Sequence, residues 1–231
     1  MYQKWLNSLT GCPLFRGITA EQLGEMLNCL RPQLVNYEKK NHIVAREGEQ
    51  LQGIGAVLEG EVAITKENAE GNRIMLTKLG EGELFGEIIA FSELQVWPAT
   101  IVTLKPSRVI FIPVDKIVTE CPRQCSSHRE MVVNLLRIVS QRALLLNKKL
   151  NYLSMKSLRG KISTFLLEQY KKCGQKAFLL PLSRQECADF LNVSRPALSR
   201  EMARMRDEGI IDFYQQTVKI IDLEALKRQI L

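Results

Sequence analysis

Leu182–Ile211 reads LSRQECADFLNVSRPALSREMARMRDEGII, and its punctuation decides how the rest of the chain is understood. Ser183 and Glu186 have the spacing of a capping box, in which each side chain satisfies a free backbone N–H at a helix start. The short helix after it shows Cys187, Ala188, Phe190 and Leu191 as its apolar face, and Asn192-Val193-Ser194 breaks it. A second helix begins within Ser194–Pro196, because proline fits only a helix's first turn. At 100° per residue Leu198, Met202 and Met205 form one stripe, which must face a core. Pro196, Arg200, Ala203 and Arg204 fall on the opposite arc, with Ser199 and Arg195 at its N-terminal edge, and Gly209 ends the helix. Two helices joined by a three-residue turn, the second turning small residues and arginines outward, have the build of a DNA-reading helix-turn-helix.

The competing reading is a solvated amphipathic pair within a helical domain. The segment after the second helix decides between the two. Ile210-Ile211-Asp212-Phe213, a polar turn at Tyr214–Thr217 and Val218-Lys219-Ile220-Ile221 predict a hairpin directly after that helix, which is a wing.

Charge is distributed as such a module requires. The net charge is +7, and between Met155 and Leu231 there are 14 Lys and Arg against 9 Asp and Glu, so the C-terminal third carries most of the excess. An apolar content of 45% is that of a globular chain, and 231 residues suffice for two cores. No stretch approaches the length of a membrane span, and the N-terminus lacks the basic-then-apolar layout of a signal peptide, so the expectation is a cytoplasmic protein without a membrane partner. Six cysteines, at 12, 29, 121, 125, 173 and 187, do not read as a disulfide framework in this context.

From the N-terminus, residues 2–30 are helical and amphipathic with a break at Gly11-Cys12-Pro13. Thr19 caps the helix Ala20–Leu30, whose Leu23, Met26, Leu27 and Leu30 face inward. From Gln33 to Pro113 the pattern becomes β. The runs Ile43-Val44, Ile54–Leu58, Val62–Thr65, Ile74–Leu79, Ala99–Leu104 and Arg108–Ile112 are separated by turns that share Gly-Glu, at 48, 60, 82 and 86. Short strands with glycine corners predict an antiparallel barrel or roll. Val114–Glu120 is a short helix ended by Cys121-Pro122. A long helix starts near His128, with Val132, Leu136, Val139, Ala143, Leu146, Leu150 and Leu153 at alternating spacings of four and three, the seam of a coiled coil. Helical from Arg129 to Leu153, it extends roughly 37 Å. A hinge at Asn151–Lys156 leads to a helix Leu158–Cys173 that turns Ile162, Phe165, Leu166 and Gln169 toward the winged module, with Gly174 as its cap.

A roll with Gly-Glu turns, a long helix and a winged helix-turn-helix in this order resemble the CRP/FNR family of bacterial transcription regulators over essentially the whole chain. Gly86-Glu87, Leu158–Leu167 and Arg195 to Arg200 carry the likeness. The resemblance implies an α+β fold: a cyclic-nucleotide-binding-like antiparallel β-roll (1–127), a dimerisation helix (128–154) and a winged helix-turn-helix (155–231). It also implies a homodimer on a palindromic operator in double-stranded DNA, gated by a small-molecule effector in the roll, with RNA polymerase as a further partner. The DNA-facing residues it assigns are Ser194, Arg195, Pro196, Ser199, Arg200 and Arg204. Arg195 and Arg200 match family arginines that reach base edges or phosphates, an arginine fork suiting guanine. Pro196 stands where the family often has a glutamate. For the effector it assigns Gly86, Glu87, Trp97, Leu146 and Asn147. The family's phosphate-holding Arg-Ser pair is replaced by Trp97-Pro98, and a buried phosphate without a cation costs several kcal/mol. The expected effector is therefore an apolar or aromatic molecule of unknown identity rather than cAMP.

Two alternatives stay open: a regulator with a vestigial, ligand-independent roll, and a redox or metal sensor using Cys121 and Cys125. Clustered N-terminal cysteines for an iron–sulfur group are absent, Cys12 and Cys29 lying seventeen apart, and His42 and His128 sit in no diagnostic motif. No metal site is expected. An enzyme is disfavoured as well, with no catalytic residues to assign: there is no GxxxxGK, nucleophile elbow or HExxH, and Gly53-x-Gly55 lacks the third glycine of a dinucleotide fingerprint.

Overall fold

The computed structural model describes residues 5–68, 70, 73–119 and 126–230. It divides into two compact units, 1–142 and 143–231. Cys121, Pro122 and Cys125 lie outside the described residues.

The first unit opens with α1 (Leu6–Thr10), a 3-10 turn at Pro13–Phe15 and α2 (Ala20–Leu30). Thr19 makes the expected cap, accepting from the Gln22 N–H while the Gln22 side chain accepts from the Thr19 N–H. Eight strands come next: β1 (Gln33–Tyr37), β2 (Ile43–Ala45), β3 (Ile54–Glu59), β4 (Val62–Glu67), β5 (Arg73–Leu79), β6 (Leu84–Phe85), β7 (Thr100–Thr103) and β8 (Ser107–Ile112). They pair antiparallel in two four-stranded sheets ordered β1-β8-β3-β6 and β2-β7-β4-β5. β3 and β8 bury both faces. Ile54, Ala56, Leu58, Ile110 and Ile112 pack with α1, α2 and Met131 and Leu135, while Val57, Val109 and Phe111 join Val62, Phe85, Trp97 and Ile101 between the sheets. The glycines of all four Gly-Glu turns, 48, 60, 82 and 86, have positive φ.

After α3 (Val114–Val118) comes α4 (Ser126–Ser154), two residues longer at its start than its pattern predicts. Its first half is anchored to the roll unit by Met131 and Leu135, and Asn134 Nδ2 donates to the carbonyls of Leu14 and Arg16. Along the predicted seam, Val132 and Val139 are half-buried against that core, whereas Leu136 is 63% and Leu146 60% exposed. Ala143, Leu150 and Leu153 are exposed too.

The second unit holds α5 (Leu158–Cys173), β9 (Ala177–Leu179), α6 (Arg184–Leu191), α7 (Arg195–Asp207), the hairpin β10 (Ile211–Tyr214) and β11 (Thr217–Ile220), and α8 (Leu223–Arg228). The hinge expected at Asn151–Lys156 needs correction. Helix α4 runs on to Ser154, and Tyr152 is buried, its ring edge-on to Phe190 at 5.1 Å, so only 155–157 separate α4 from α5. The wing has a third strand, since β11 also pairs with β9. Pattern reading misses β9, like β1 and β6, because they are short or lack alternation.

Leu198, fully buried in the core of the second unit, is the test of that packing. Leu198→Ala should lower that unit's unfolding free energy by about 2–5 kcal/mol. Leu146→Ala, at an exposed position, should cost the isolated chain well under 1 kcal/mol; chemical denaturation at dilute protein concentration compares the two.

Candidate functional site

Three details of the second unit aim α7. Its stripe of Leu198, Met202 and Met205 is buried, which turns the opposite arc to solvent. Its start is fixed by Ser194, whose hydroxyl oxygen accepts from the Ala197 N–H at 3.3 Å while Pro196 occupies the first turn. The turn before it is set by Asn192 in the left-handed region, φ 53°, after a complete Ser183–Glu186 capping box on α6. The buried Lys161 of α5 donates to the Leu191 carbonyl at the end of α6, placing a charge where the helix's negative pole lies.

The result is an exposed surface of Arg195, Pro196, Ser199, Arg200 and Arg204. Among the described residues neither Arg195 nor Arg200 forms an ion pair, while Arg204 Nη1 reaches Glu201 Oε2 at 3.4 Å. Ser194 serves its own helix as a cap. Sequence reasoning missed Arg184, which reads there as an ordinary helix-start residue. Its guanidinium stands 5.1 Å from the centre of the Phe213 ring in the wing, and Arg206 approaches the same ring at 5.2 Å. Burial depresses the Arg184 pKa and the charge of Arg195 adds to that.

The roll contains the second feature, a cavity of about 150 Å³ lined by Ile64, Phe85, Gly86, Glu87, Trp97, Ile101, Arg142 and four neighbours. Gly86 has φ +84°, and a Cβ there would meet the Trp97 ring at 2.8 Å. Only glycine allows this backbone and this contact together. The Trp97 ring also packs on Phe85, centroids 5.9 Å apart. The side chain of Glu87 is completely buried and forms an ion pair with Arg142 of α4, which also donates to the Leu84 carbonyl at 3.3 Å. Burial raises the Glu87 pKa and Arg142 acts against that rise.

Of the residues assigned to the effector, the structure brings together Gly86, Glu87 and Trp97 in this cavity. Leu146 and Asn147 are exposed residues of the second unit. Sequence reasoning missed Arg142 as well, because one arginine on the flank of a leucine-rich helix gives no sign of a partner 55 positions earlier.

Two of the described cysteines, Cys12 and Cys187, are buried. Burial pushes the thiols of Cys12 and Cys187 up to about 11, so both are poor thiolates. Among the described residues no three His, Cys, Asp or Glu side chains gather as metal ligands, and no helix is long and apolar enough to cross a membrane.

Comparison with known proteins matches both units. Residues 35–123 match the cyclic nucleotide-binding domain family and residues 160–229 the Crp-like helix-turn-helix domain family. The chain is 25% identical over 222 residues to the CRP-like cAMP-activated global transcriptional regulator of Mycobacterium tuberculosis, covering 94% of this chain and 95% of that one. It is 22% identical to the cyclic AMP receptor protein of Thermus thermophilus, covering 95% and 97%. The crystal structure of the Thermus thermophilus catabolite activator protein shares the fold, with a TM-score of 0.53 and 21% identity over 94% of this chain and 98% of that one.

The buried Glu87–Arg142 pair yields a pH test. In Arg142→Met the carboxyl loses its cation, and its folded pKa rises further above the unfolded value. Stability is then complete below the unfolded pKa and falls as pH rises through the folded one. Urea unfolding from about pH 5 to about pH 8 should show the variant losing stability relative to the parent, and Glu87→Gln in the same background should abolish the trend.

Proposed function

From the premise that the chain belongs to the CRP/FNR family of DNA-binding transcription regulators, and is not an enzyme, we propose that it acts as a cytoplasmic homodimer gated by a small molecule other than cAMP. Two copies grip a palindromic operator in double-stranded DNA, each laying α7 in the major groove, and the bound dimer meets RNA polymerase. The observation that carries this reading is the outward arc of α7, with Arg195 and Arg200 outside any ion pair among the described residues and Ser199 and Arg204 beside them. Free guanidinium forks at the N-terminal half of a recognition helix suit the O6 and N7 acceptors of guanine. Pro196 between them contributes no side-chain hydrogen bond.

Dimerisation is supported by the exposed leucines of α4. Leu136, Leu146, Leu150 and Leu153 stand at heptad positions, and Val132, Val139 and Ala143 continue the row. A second copy of α4 covers that row. We assign the three functional regions to 1–127, 128–154 and 155–231.

The roll cavity supports an effector with an apolar or aromatic body. Its walls are Ile64, Phe85, Trp97 and Ile101, and the cation in its lining, Arg142, already lies on Glu87. The relatives named above are described as cAMP-activated or as a cyclic AMP receptor. Here a cyclic phosphate would have to compete with Glu87 for that guanidinium, while Trp97-Pro98 offer it no charge. Gly86, Glu87 and Trp97 form the effector contacts, and Leu146 and Asn147 remain assigned to the effector by the resemblance. An ungated regulator is the second reading, favoured by the Trp97 ring lying on Gly86 and filling room beside Glu87. Thermal-shift and fluorescence titration with cAMP and with small aromatic acids separates them: tight operator binding with no response to any ligand supports the second.

Arg200→Ala should weaken binding at a selected operator by about 1–3 kcal/mol and change binding to random DNA little; equal losses would show a phosphate contact only. Val139→Asp with Leu146→Asp should give monomers by sedimentation, with operator affinity falling because the half-sites are no longer engaged together.

A further inference from the structure

Helix α7 carries two carboxylates along one flank. At 100° per residue Glu201 and Glu208 fall beside the buried stripe of Leu198 and Met205, away from the arc of Ser199, Arg200 and Ala203. Both are held by one residue of another helix. Arg159, in the first turn of α5, donates from Nε to Glu201 Oε1 at 2.6 Å. Its two terminal nitrogens straddle the Glu208 carboxylate, Nη1 to Oε2 at 2.7 Å and Nη2 to Oε1 at 2.8 Å. The Glu201 side chain is 13% exposed, so this contact is well shielded from water. Its second oxygen faces Arg204 Nη1 at 3.4 Å. A continuous row therefore runs from α5 through Glu201 to a guanidinium at the margin of the DNA-facing arc.

We propose that Arg159 is a positioning residue that fixes the rotation of the reading helix and the reach of Arg204, and so determines how sharply the protein discriminates its operator. The inference rests on the DNA-binding reading above. Burial of Leu198, Met202 and Met205 sets which face of α7 turns outward, but apolar contact is non-directional and leaves the fine rotation within that facing to directional bonds. A guanidinium with three short charge-assisted bonds is directional. It also answers an electrostatic difficulty: Glu208 sits at the C-terminal end of α7, where the helix dipole disfavours an anion, and Arg159 holds its carboxyl below the usual range. Without Arg159, Glu201 has Arg204 as its remaining cation and draws it from the DNA side, while Glu208 is left unpaired at the negative end of the helix. A lysine cannot substitute, because one ammonium cannot span both carboxylates in this planar pattern.

The test uses the full-length chain and four forms: parent, Arg159→Met, Arg159→Lys, and Arg159→Met with Glu201→Gln. Amide hydrogen exchange over 199–208 is followed without DNA. Affinity is then measured for the sequence the parent selects from a random DNA pool and for a scrambled duplex. Arg159→Met should speed exchange in α7 and lower the ratio of selected to scrambled affinity about tenfold. Arg159→Lys should recover only part of that ratio. Adding Glu201→Gln should restore discrimination toward the parent value, because an uncharged side chain releases Arg204, which mere stabilisation of the fold would not explain. Unchanged exchange overturns the proposal, and so does faster exchange with an unchanged ratio, which marks a purely structural clamp. If Arg159→Met does not fold, Glu208→Gln removes the fork and is read by the same two outcomes. A parent that prefers no sequence defeats the DNA-binding reading instead, and the exchange arm then decides the clamp alone.

Discussion

One-sided burial of a thirteen-residue helix is the constraint on which the C-terminal unit depends. Leu198, Met202 and Met205 supply the apolar surface of α7, and removing each from water contributes about 1.5–3 kcal/mol. An α-helix is rigid, so once that stripe is committed the remaining arc has no freedom to turn inward. The arginines are exposed as a geometric consequence of where the core residues stand. Caps at Ser183 and Ser194 and the left-handed Asn192 then place the two helices of the pair relative to one another.

The roll works under a different constraint. Its strands are short, and β3 and β8 bury both faces, so polar groups inside need partners. Glu87 is the extreme case, a carboxylate with no exposed atoms in a cavity of aromatic and branched side chains. Arg142 answers it from α4. A buried pair of this kind adds little net stability over apolar residues of similar size, but breaking it leaves an uncompensated charge. Any molecule that enters the cavity and engages either partner therefore acts directly on the join between the roll and α4. This is the physical basis for the proposal that the cavity is a control point.

Much of this is legible in the sequence wherever the signal is local. The capping boxes at Thr19 and Ser183, the Gly-Glu corners, the period of α4 and the stripe of α7 each lie within a few residues of chain. What stays hidden is non-local or weakly patterned. Arg142 meets Glu87 across 55 positions, and Arg159 reaches Glu201 and Glu208 across 42 and 49. No periodicity announces such pairs. β9 is three residues with one buried side chain, too short to alternate visibly, and it exists because β11 supplies its hydrogen bonds. Local reading sets the hinge too early because the burial of Tyr152 against Phe190, which carries α4 on to Ser154, is a non-local contact.

The α4 helix shows how both kinds of information combine. Its sequence carries more apolar residues than one helix face needs, and the structure sorts them. Met131 and Leu135 go to the roll core, while Leu136, Leu144, Leu146, Leu150 and Leu153 stay in water. A row of leucines on a single chain is costly, and contiguous apolar surface of this kind marks an interaction site. A nonspecific partner would not require heptad spacing, because only a second helix crossing at a shallow angle meets positions a and d over several turns. The spacing thus suits a parallel or antiparallel helix, the covering element proposed above. A palindromic operator of the kind proposed above, with half-sites about 34–36 Å apart, would favour a two-fold pairing of two such chains.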